Sequence, residues 1–116
     1  MMERRRVVVT GLGAINAIGH NVEETWKSIK DGVCGIAEIT NYDKELTRVK
    51  IAGEVKDFNP ADYLDKKAIR KMDRFTQFGV IAAKEAFKDS GLKIEDINAD
   101  RFGVVVSSGI GGLATI

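Results

Sequence analysis

Two apolar runs of the same form lie near opposite ends of the chain. Residues 7–9 are three valines that lead into a Thr-Gly-Leu-Gly turn, and residues 104–106 are three valines that lead into a glycine loop. Consecutive β-branched residues without polar alternation are typical of a strand that is covered on both faces, as in the parallel sheet of an α/β protein. The two runs therefore predict parallel strands near residues 6–10 and 102–107, side by side and joined by a right-handed crossover.

The glycine loop at residues 109–112 follows the second predicted strand, and ligand sites in parallel sheets lie beyond the carboxyl ends of the strands. The first turn, which begins at Gly11, suggests a nucleotide site only at first sight. A dinucleotide fingerprint needs glycine at the sixth position of Gly-x-Gly-x-x-Gly, and Asn16 stands there. A nucleotide-dependent oxidoreductase is therefore disfavoured, because a lone glycine-rich turn is usually a tight connection between a strand and a helix.

The spacing of polar and apolar residues predicts two helices and a short strand between the valine runs. Asn21 and Glu24 have the spacing of a capping box and predict a helix over residues 22–31. Residues 74–90 carry apolar side chains around most of the helix circumference in the middle two turns, so this helix should be largely buried. Residues 48–52 alternate with a period of two and predict a half-exposed strand.

Composition limits the class of protein. With 116 residues, 44% of them apolar and 30% charged, the chain is long enough for one modest soluble domain with its own core. No apolar run is long enough to span a bilayer and no leader with a cleavage site is found, so a cytoplasmic location is expected. One cysteine, Cys34, and one histidine, His20, form neither an internal disulfide nor a metal site, and neither is assigned any chemistry.

The most basic stretch of the chain holds five cations and two carboxylates within ten residues, a local excess of about three positive charges. Lys67, Arg70 and Lys71 fall at i, i+3 and i+4, which puts three cations on one face of a helix predicted over residues 67–72. Composition alone favours a merely solvated charged face here. Asp73 is expected to cap the helix that follows.

Five ordered motifs resemble those of one enzyme family. They are VVVTGLG at residues 7–13, GVCGI at 32–36, KDFN at 56–59, RKMDRF at 70–75 and SGIGGL at 108–113. Together they resemble the β-ketoacyl-acyl-carrier-protein synthases, in particular the type II enzymes of bacterial fatty-acid elongation, and the resemblance covers essentially the whole chain. Cys34 and His20 depart from the family pattern, which agrees with leaving both out of the chemistry.

The resemblance implies a fold and a reaction. The family has an α/β fold of the thiolase type, duplicated in five α/β/α/β/α layers, so residues 1–116 are expected to form an incomplete N-terminal part of one such domain. The implied reaction is a decarboxylative Claisen condensation, in which a malonyl group on acyl carrier protein attacks an acyl group held on a cysteine. That cysteine and two histidines lie beyond Ile116 in the family pattern. No catalytic, cofactor-binding or metal-binding residue is therefore expected here, and the chain alone is expected to be inactive.

The resemblance also implies roles for four residues. Ile110 is expected to border the acyl pocket, and Lys67, Arg70 and Lys71 match the family's docking patch for acyl carrier protein. The implied partners are acyl carrier protein and, for the full-length enzyme, a second copy in a homodimer, with no nucleic acid, no membrane and no cofactor beyond the phosphopantetheine of the carrier. The alternative is a module that binds an acidic carrier without chemistry. A further helix is expected to begin within residues 113–116.

Overall fold

The computed structural model describes residues 4–113 and Thr115, and helices make up most of its regular structure. The α-helices are α1 (Val22–Lys30), α2 (Lys66–Ile69) and α3 (Arg74–Asp89), and the strands are β1 (Ala37–Glu38) and β2 (Ile51–Ala52). Single 3₁₀ turns lie at Lys44–Leu46, Pro60–Asp62, Ile94–Asp96 and Ala99–Arg101. The helix predicted to begin within residues 113–116 includes residues 114 and 116, which lie outside the described residues.

Helix α1 begins and ends where the sequence predicts. The Asn21 side chain accepts a hydrogen bond from the backbone N–H of Glu24 (2.8 Å), and the Glu24 carboxylate accepts one from the N–H of His20 (2.8 Å). The capping box is therefore formed, with its second arm one residue before the cap. After Lys30 the chain turns at Gly32, whose φ of +68° is a left-handed conformation that glycine adopts at little cost.

Strands β1 and β2 form an antiparallel ribbon, the one sheet found among residues 4–113. Ala37 lies opposite Ala52 and Glu38 lies opposite Ile51. The strand predicted over residues 48–52 is thus reduced to its last two residues. One further bond across the ribbon, from the N–H of Ile39 to the carbonyl of Lys50 (3.0 Å), extends the pairing by one residue on each side.

A carboxylate closes the turn beside this ribbon. Glu54 accepts hydrogen bonds from the hydroxyl of Thr40 (2.7 Å), from the N–H of Thr40 (3.0 Å) and from the N–H of Asn41 (3.0 Å). The Thr40 hydroxyl is the main reason that the pKa of Glu54 falls below its usual 4.5, since these bonds favour the charged form. The exposed Glu38 has a lowered pKa for a related reason, the hydrogen bond from Lys44.

Helix α3 has the predicted length but not the predicted burial. Ile81 and Gln77 are its buried residues, and the rest of the helix is half-buried or exposed. In the described part of the chain the buried apolar side chains are Ile39, Leu64 and Ile81. The expectation of a largely buried helix, and of a real core within this chain, is therefore wrong, because too few elements cover the apolar circumference of α3.

Residues 10–14 pack directly on α3. A Cβ atom on Gly11 would lie 2.2 Å from the carbonyl oxygen of Ala86, and one on Gly13 would lie 1.9 Å from that of Ala82. Both positions therefore need glycine because the backbone touches the helix there. This close packing accounts for the Gly-Leu-Gly turn without a phosphate ligand.

Two carboxylates of α3 hold the same N-terminal segment by its backbone. Glu85 accepts hydrogen bonds from the N–H of Ala14 (2.9 Å) and from the N–H of Val22 (2.8 Å). One turn later, Asp89 accepts a hydrogen bond from the N–H of Leu12 (2.9 Å). The loop between the first valine run and α1 is thereby fixed to the helix at three points.

The predicted parallel strands near residues 6–10 and 102–107 are not formed, and this part of the fold prediction is wrong. Both segments lack ladder hydrogen bonds in the described structure, and their valines are exposed, with Val7 at 90% and Val105 at 93%. The turn that follows the first segment contacts α3 through Gly13, and the second segment contacts it through Val106 against Gly79. A continuous apolar run indicates a strand between two covering layers, and the described residues supply only the helix on one side.

The exposed surface of the chain is large for its mass. Its solvent-accessible surface is 9943 Å² at 12.7 kDa, whereas a folded monomer of this mass has about 6,200 Å². The radius of gyration is 17.6 Å, against about 13 Å for a self-contained domain of this length. The valine segments and much of α3 therefore present apolar surface that this chain does not cover by itself.

Candidate functional site

The basic turn, residues 65–72, is a short helix extended by a tighter turn. The carboxylate of Asp65 caps α2 by accepting hydrogen bonds from the N–H groups of Lys67 and Ala68, both at 2.9 Å. Beyond Ile69 the N–H of Lys71 bonds to the carbonyl of Ala68 (3.0 Å), which continues the coil as a 3₁₀ turn. The helix predicted over residues 67–72 is therefore present as one α-helical turn with a 3₁₀ end.

All four cations of the basic turn face solvent. Lys66 and the three predicted docking residues, Lys67, Arg70 and Lys71, are exposed. The ion pairs found within residues 4–113 join Lys44 to Glu38, Lys50 to Glu45 and Lys93 to Glu95, so none of them neutralises the basic turn.

The fifth cation of this stretch, Arg74, is also exposed but its guanidinium contacts the protein. Its guanidinium donates a hydrogen bond to the carbonyl of Val55 (2.8 Å) and lies over the rings of Phe58 and Phe78, 5.5 Å and 5.3 Å from their centroids. Arg74 thus anchors residues 55–58 to α3, and the local positive charge is carried by the basic turn itself.

A buried glutamine supports the basic turn from below. Gln77 is 8% exposed, and its amide donates a hydrogen bond to the carbonyl of Met72 (3.0 Å). Ile69 and Met72 are half-buried on the same side. The side of the turn that faces the protein is therefore apolar with one satisfied amide, and this arrangement leaves the cations pointing to water.

The glycine loop, residues 109–112, contacts the start of α3 through its last two residues. Ile110 is 74% exposed, and a Cβ on Gly109 would meet nothing within 4 Å. In contrast, a Cβ on Gly111 would lie 2.5 Å from the ring of Phe75, and Gly112 has a φ of +68° beside Asp73. The loop is thus packed against the start of α3 immediately after Ile110.

Asp73 lies between the basic turn and the glycine loop. It occupies the N-cap position of α3, but its side chain makes no capping hydrogen bond, contrary to the sequence prediction. Its carboxylate instead accepts a hydrogen bond from the hydroxyl of Thr115. This long-range bond takes the place of the local capping bond, and it brings the basic turn and the glycine loop to the same end of α3.

An open groove runs along α3 between the two valine segments. It has a volume of about 430 Å³ and is lined by Thr10, Gly11 and Gly13 on one side and by Phe102, Val104 and Val106 on the other. The ring of Phe102 packs edge-on against Phe87 of α3, with centroids 5.9 Å apart. The groove lies where the sequence predicts the two strands to meet.

Neither His20 nor Cys34 joins the candidate site. The His20 ring lies 2.8 Å from the carbonyl of Lys56 through Nε2 and packs edge-on against Phe58, so it is a half-buried structural residue rather than the exposed one its loop position indicates. Cys34 is a free, exposed cysteine. Among the residues that the structure describes, no cluster of three or more potential metal ligands is found, and no helix is long and apolar enough to cross a membrane.

Sequence reasoning missed Gln77 and Glu85, and it assigned Asp73 a capping bond that the structure lacks. Gln77, Glu85 and Asp73 all bond to chain segments outside their own helix. A polar residue within the apolar stretch of α3 was the available signal for Gln77 and Glu85. Nothing in the sequence signals the bond between Asp73 and Thr115, because the two residues are 42 positions apart.

The chain matches the family model "Beta-ketoacyl synthase, N-terminal domain" over residues 4–116. It is 51% identical over 115 residues to 3-oxoacyl-[acyl-carrier-protein] synthase 2 of Staphylococcus aureus (strain N315), covering 99% of this chain and 28% of that protein. It is 47% identical, with the same coverage, to the protein of that name from Coxiella burnetii. The chain therefore spans little more than a quarter of the length of these relatives.

Solved structures show the same likeness in three dimensions. The ishigamide ketosynthase/chain length factor aligns with a TM-score of 0.71 at 39% identity, over 82% of this chain and 24% of that one. A structure of a type II polyketide synthase acyl-carrier protein in complex with its ketosynthase aligns with a TM-score of 0.63 at 30% identity, over 83% of this chain and 25% of the matched chain. The fold of the described residues is thus that of part of a ketosynthase.

Proposed function

The chain belongs to the β-ketoacyl synthase family, and we propose that it forms the N-terminal part of a longer synthase that elongates acyl chains on acyl carrier protein. The observation that carries this proposal is the family match over residues 4–116, together with 51% identity to a 3-oxoacyl-[acyl-carrier-protein] synthase 2. The large exposed apolar surface supports it, since the remaining part of a longer chain would cover that surface.

The reaction is a decarboxylative condensation. An acyl group is first transferred from its carrier thiol to a cysteine, so that one thioester breaks and another forms. A malonyl thioester on acyl carrier protein then loses carbon dioxide, and the resulting carbon nucleophile attacks the acyl carbonyl and expels the cysteine thiolate. The products are a 3-oxoacyl thioester two carbons longer, carbon dioxide and the free cysteine. The cysteine and two histidines are to be supplied from outside residues 1–116.

In this proposal the basic turn is the docking surface for acyl carrier protein. Three exposed cations without ion-pair partners in the described structure support this role, because attraction between a basic and an acidic face raises the rate of association. The solved complex of a carrier protein with its ketosynthase, to which the chain aligns, is consistent with a carrier as the partner. The full-length enzyme is further proposed to act as a homodimer.

The glycine loop is proposed to border the acyl pocket through Ile110. Its side chain is apolar and exposed in this chain, so it is available to line a pocket whose other walls come from residues outside the chain. A Cβ added at Gly109 would meet nothing within 4 Å in this chain, and glycine on both sides of Ile110 permits the loop backbone to move. We propose that this movement makes Ile110 a gate for acyl chain length.

The proposed function is tested with the full-length protein that carries this chain. Its continuing reading frame is expected to encode a cysteine at a helix start and two later histidines. With an acyl carrier thioester and malonyl carrier as substrates, the protein is expected to release one carbon dioxide for each 3-oxoacyl thioester formed. A folded protein that binds the carrier but releases no carbon dioxide would instead indicate a non-catalytic carrier-binding module.

Docking is tested separately by reversing the charges of Lys67, Arg70 and Lys71 to Glu in the full-length protein. We expect kcat/KM for the carrier-bound substrate to fall about tenfold or more at low salt, while kcat/KM for a small pantetheine thioester stays unchanged. The difference from the parent protein should shrink with added salt, because screening shortens the range of exposed charges from about 10 Å at 0.1 M to about 3 Å at 1 M.

The matched control for this experiment reverses three exposed lysines on other helices, Lys27, Lys30 and Lys88. The control triple variant has the same change in net charge but leaves the basic turn intact. If both triple variants lose the same activity, or if the docking variant loses activity equally with the pantetheine substrate, the basic turn is not the docking surface.

A further inference from the structure

We propose that Asp73 is a positioning residue for the glycine loop and thereby sets the acyl chain-length selectivity of the synthase. This inference rests on the proposed function, because it assigns Asp73 a role in holding Ile110. The proposal places Asp73 in contact with neither substrate nor reacting atoms. It acts through the segment that follows Ile110, which packs against its carboxylate.

The first argument is the unusual use of the Asp73 carboxylate. An aspartate at the start of a helix normally accepts a hydrogen bond from a backbone N–H of the first turn, which is the main reason for its preference there. Asp73 has the extended backbone of a capping residue, with φ −65° and ψ 159°, but makes no capping bond. Oδ1 of Asp73 instead accepts a hydrogen bond from the hydroxyl of Thr115. The carboxylate is thus directed to the glycine loop and its continuation.

The second argument is the fit between the loop and the start of α3. A Cβ on Gly112 would lie 2.5 Å from Oδ2 of Asp73, so the loop backbone rests against the carboxylate itself. The N–H of Thr115 bonds to the carbonyl of Gly112 (2.8 Å), and this turn aims the Thr115 hydroxyl at Asp73. Gly111 rests on the ring of Phe75 in the same way. Contacts at Gly111, Gly112 and Thr115 therefore hold the chain immediately after Ile110.

The third argument is the contrast with the other side of Ile110. A Cβ added at Gly109 would meet nothing within 4 Å in this chain, and the Ser108 hydroxyl donates a hydrogen bond to the carbonyl of Ile110 (3.2 Å), a bond within the loop region itself. Among the described residues the contacts between the loop and α3 therefore begin at Gly111. Loss of the contacts with Asp73 would let the side chain of Ile110 occupy more positions. A gating side chain that is not held in one position discriminates less between short and long acyl chains.

The test uses the full-length protein with Asp73→Ala, Asp73→Asn, Thr115→Val and the double variant of Asp73→Ala with Thr115→Val. The readout is the ratio of kcat/KM for a long to that for a short acyl substrate. Asp73→Ala and Thr115→Val should each change this ratio by about three- to tenfold, the effect of one typical hydrogen bond. The double variant should show no further change, since both single changes remove the same bond. Asp73→Asn, which keeps an acceptor oxygen, should retain most of the parent ratio.

The matched control is Asp96→Ala, which removes an exposed aspartate from the 3₁₀ turn Ile94–Asp96. An unchanged ratio in Asp73→Ala, or an equal change in Asp96→Ala, would overturn the inference. Additive effects in the double variant would also overturn it, because the two side chains would then act independently. Thr115→Val keeps the size of an exposed side chain, so it serves as the probe if Asp73→Ala reduces folding.

A second measurement does not depend on activity. Hydrogen exchange of the peptide covering residues 107–113 should be faster in Asp73→Ala and Thr115→Val than in the parent protein, and unchanged in Asp96→Ala. Unchanged exchange in the first two variants would overturn the anchoring role. If the parent protein condenses no acyl substrate of any length while exchange still responds, the proposed function and the selectivity role fail together and the anchoring role stands.

Discussion

Replacing Gly13 by alanine should separate the N-terminal segment from α3. The added Cβ would lie 1.9 Å from the carbonyl oxygen of Ala82 and 2.8 Å from its carbonyl carbon. A close carbon-to-oxygen contact is about 3.3 Å, so the segment must retreat by about 1.4 Å. The obstacle is helix backbone, which cannot rotate away as a flexible side chain would.

The cost of this retreat follows from the bonds on either side of Gly13. The N–H of Leu12 bonds to Asp89 and the N–H of Ala14 bonds to Glu85, both at 2.9 Å, and a shift of about 1.4 Å breaks both. Hydrogen bonds to charged groups contribute about 1.5–3 kcal/mol each, and partial exposure places these two at the lower end. If the segment stays in place and keeps both hydrogen bonds, the added methyl group overpacks the contact with α3, which costs about 1–3 kcal/mol of stability. We therefore expect the free energy of unfolding to fall by about 2–3 kcal/mol.

Urea unfolding of the full-length protein, compared between variant and parent, measures this change. Trp26 lies in a cleft with Leu12, Glu85 and Asp89, so its fluorescence reports the position of the segment. The matched control is Gly53→Ala, where a Cβ would meet Ile36 at 3.4 Å and Ala17 at 3.6 Å, both ordinary contacts. A difference of less than about 0.5 kcal/mol between the two variants would refute the packing argument.

Three further predictions concern selectivity, pH and activity. Ile110→Phe in the full-length protein should lose long acyl substrates selectively, because a larger side chain narrows the pocket, and an equal loss of kcat/KM across chain lengths would count against gating. The pKa of Glu54 is lowered on folding by the Thr40 hydroxyl, so its contribution to stability is complete above the usual pKa of 4.5 and is lost as the pH falls through the lower folded value. Glu54→Gln should flatten the acid side of the stability profile measured by urea unfolding, and a profile identical to that of the parent chain would contradict this. The 116-residue chain alone should show no condensation above background with labelled malonyl carrier, since we expect the nucleophile and the paired histidines to come from outside residues 1–116, and product formation by the purified chain would contradict this.

Local signals predicted α1 and the length of α3. The cap at Asn21 and the stop at Gly32 act through bonds and backbone angles within a few residues, and both are found in the structure. The family could also be recognised, because five short motifs in order are specific even without three-dimensional information. The basic turn is also formed by a local signal, the capping of α2 by Asp65. The cations Lys67, Arg70 and Lys71 are exposed there, as their helical spacing predicts.

The strands at residues 6–10 and 102–107 could not be obtained from the valine runs alone. A strand exists only where a neighbouring backbone accepts and donates its hydrogen bonds, and no such neighbour is found in the described residues. The valine pattern reports what such a segment needs, two covering layers, and this chain provides one helix. The burial of α3 was overestimated for the same reason.

By itself, the sequence determined where α1 and α3 lie and to which family the chain belongs, because these depend on local geometry and on ordered motifs. Only the tertiary structure decided that Gly13 touches Ala82, that Gln77 supports the basic turn at Met72 and that Asp73 bonds to Thr115 instead of capping α3. Each of these contacts joins a helix to a segment outside it. The free energy of such a contact depends on which surfaces the whole fold brings together, and one-dimensional spacing does not contain that information.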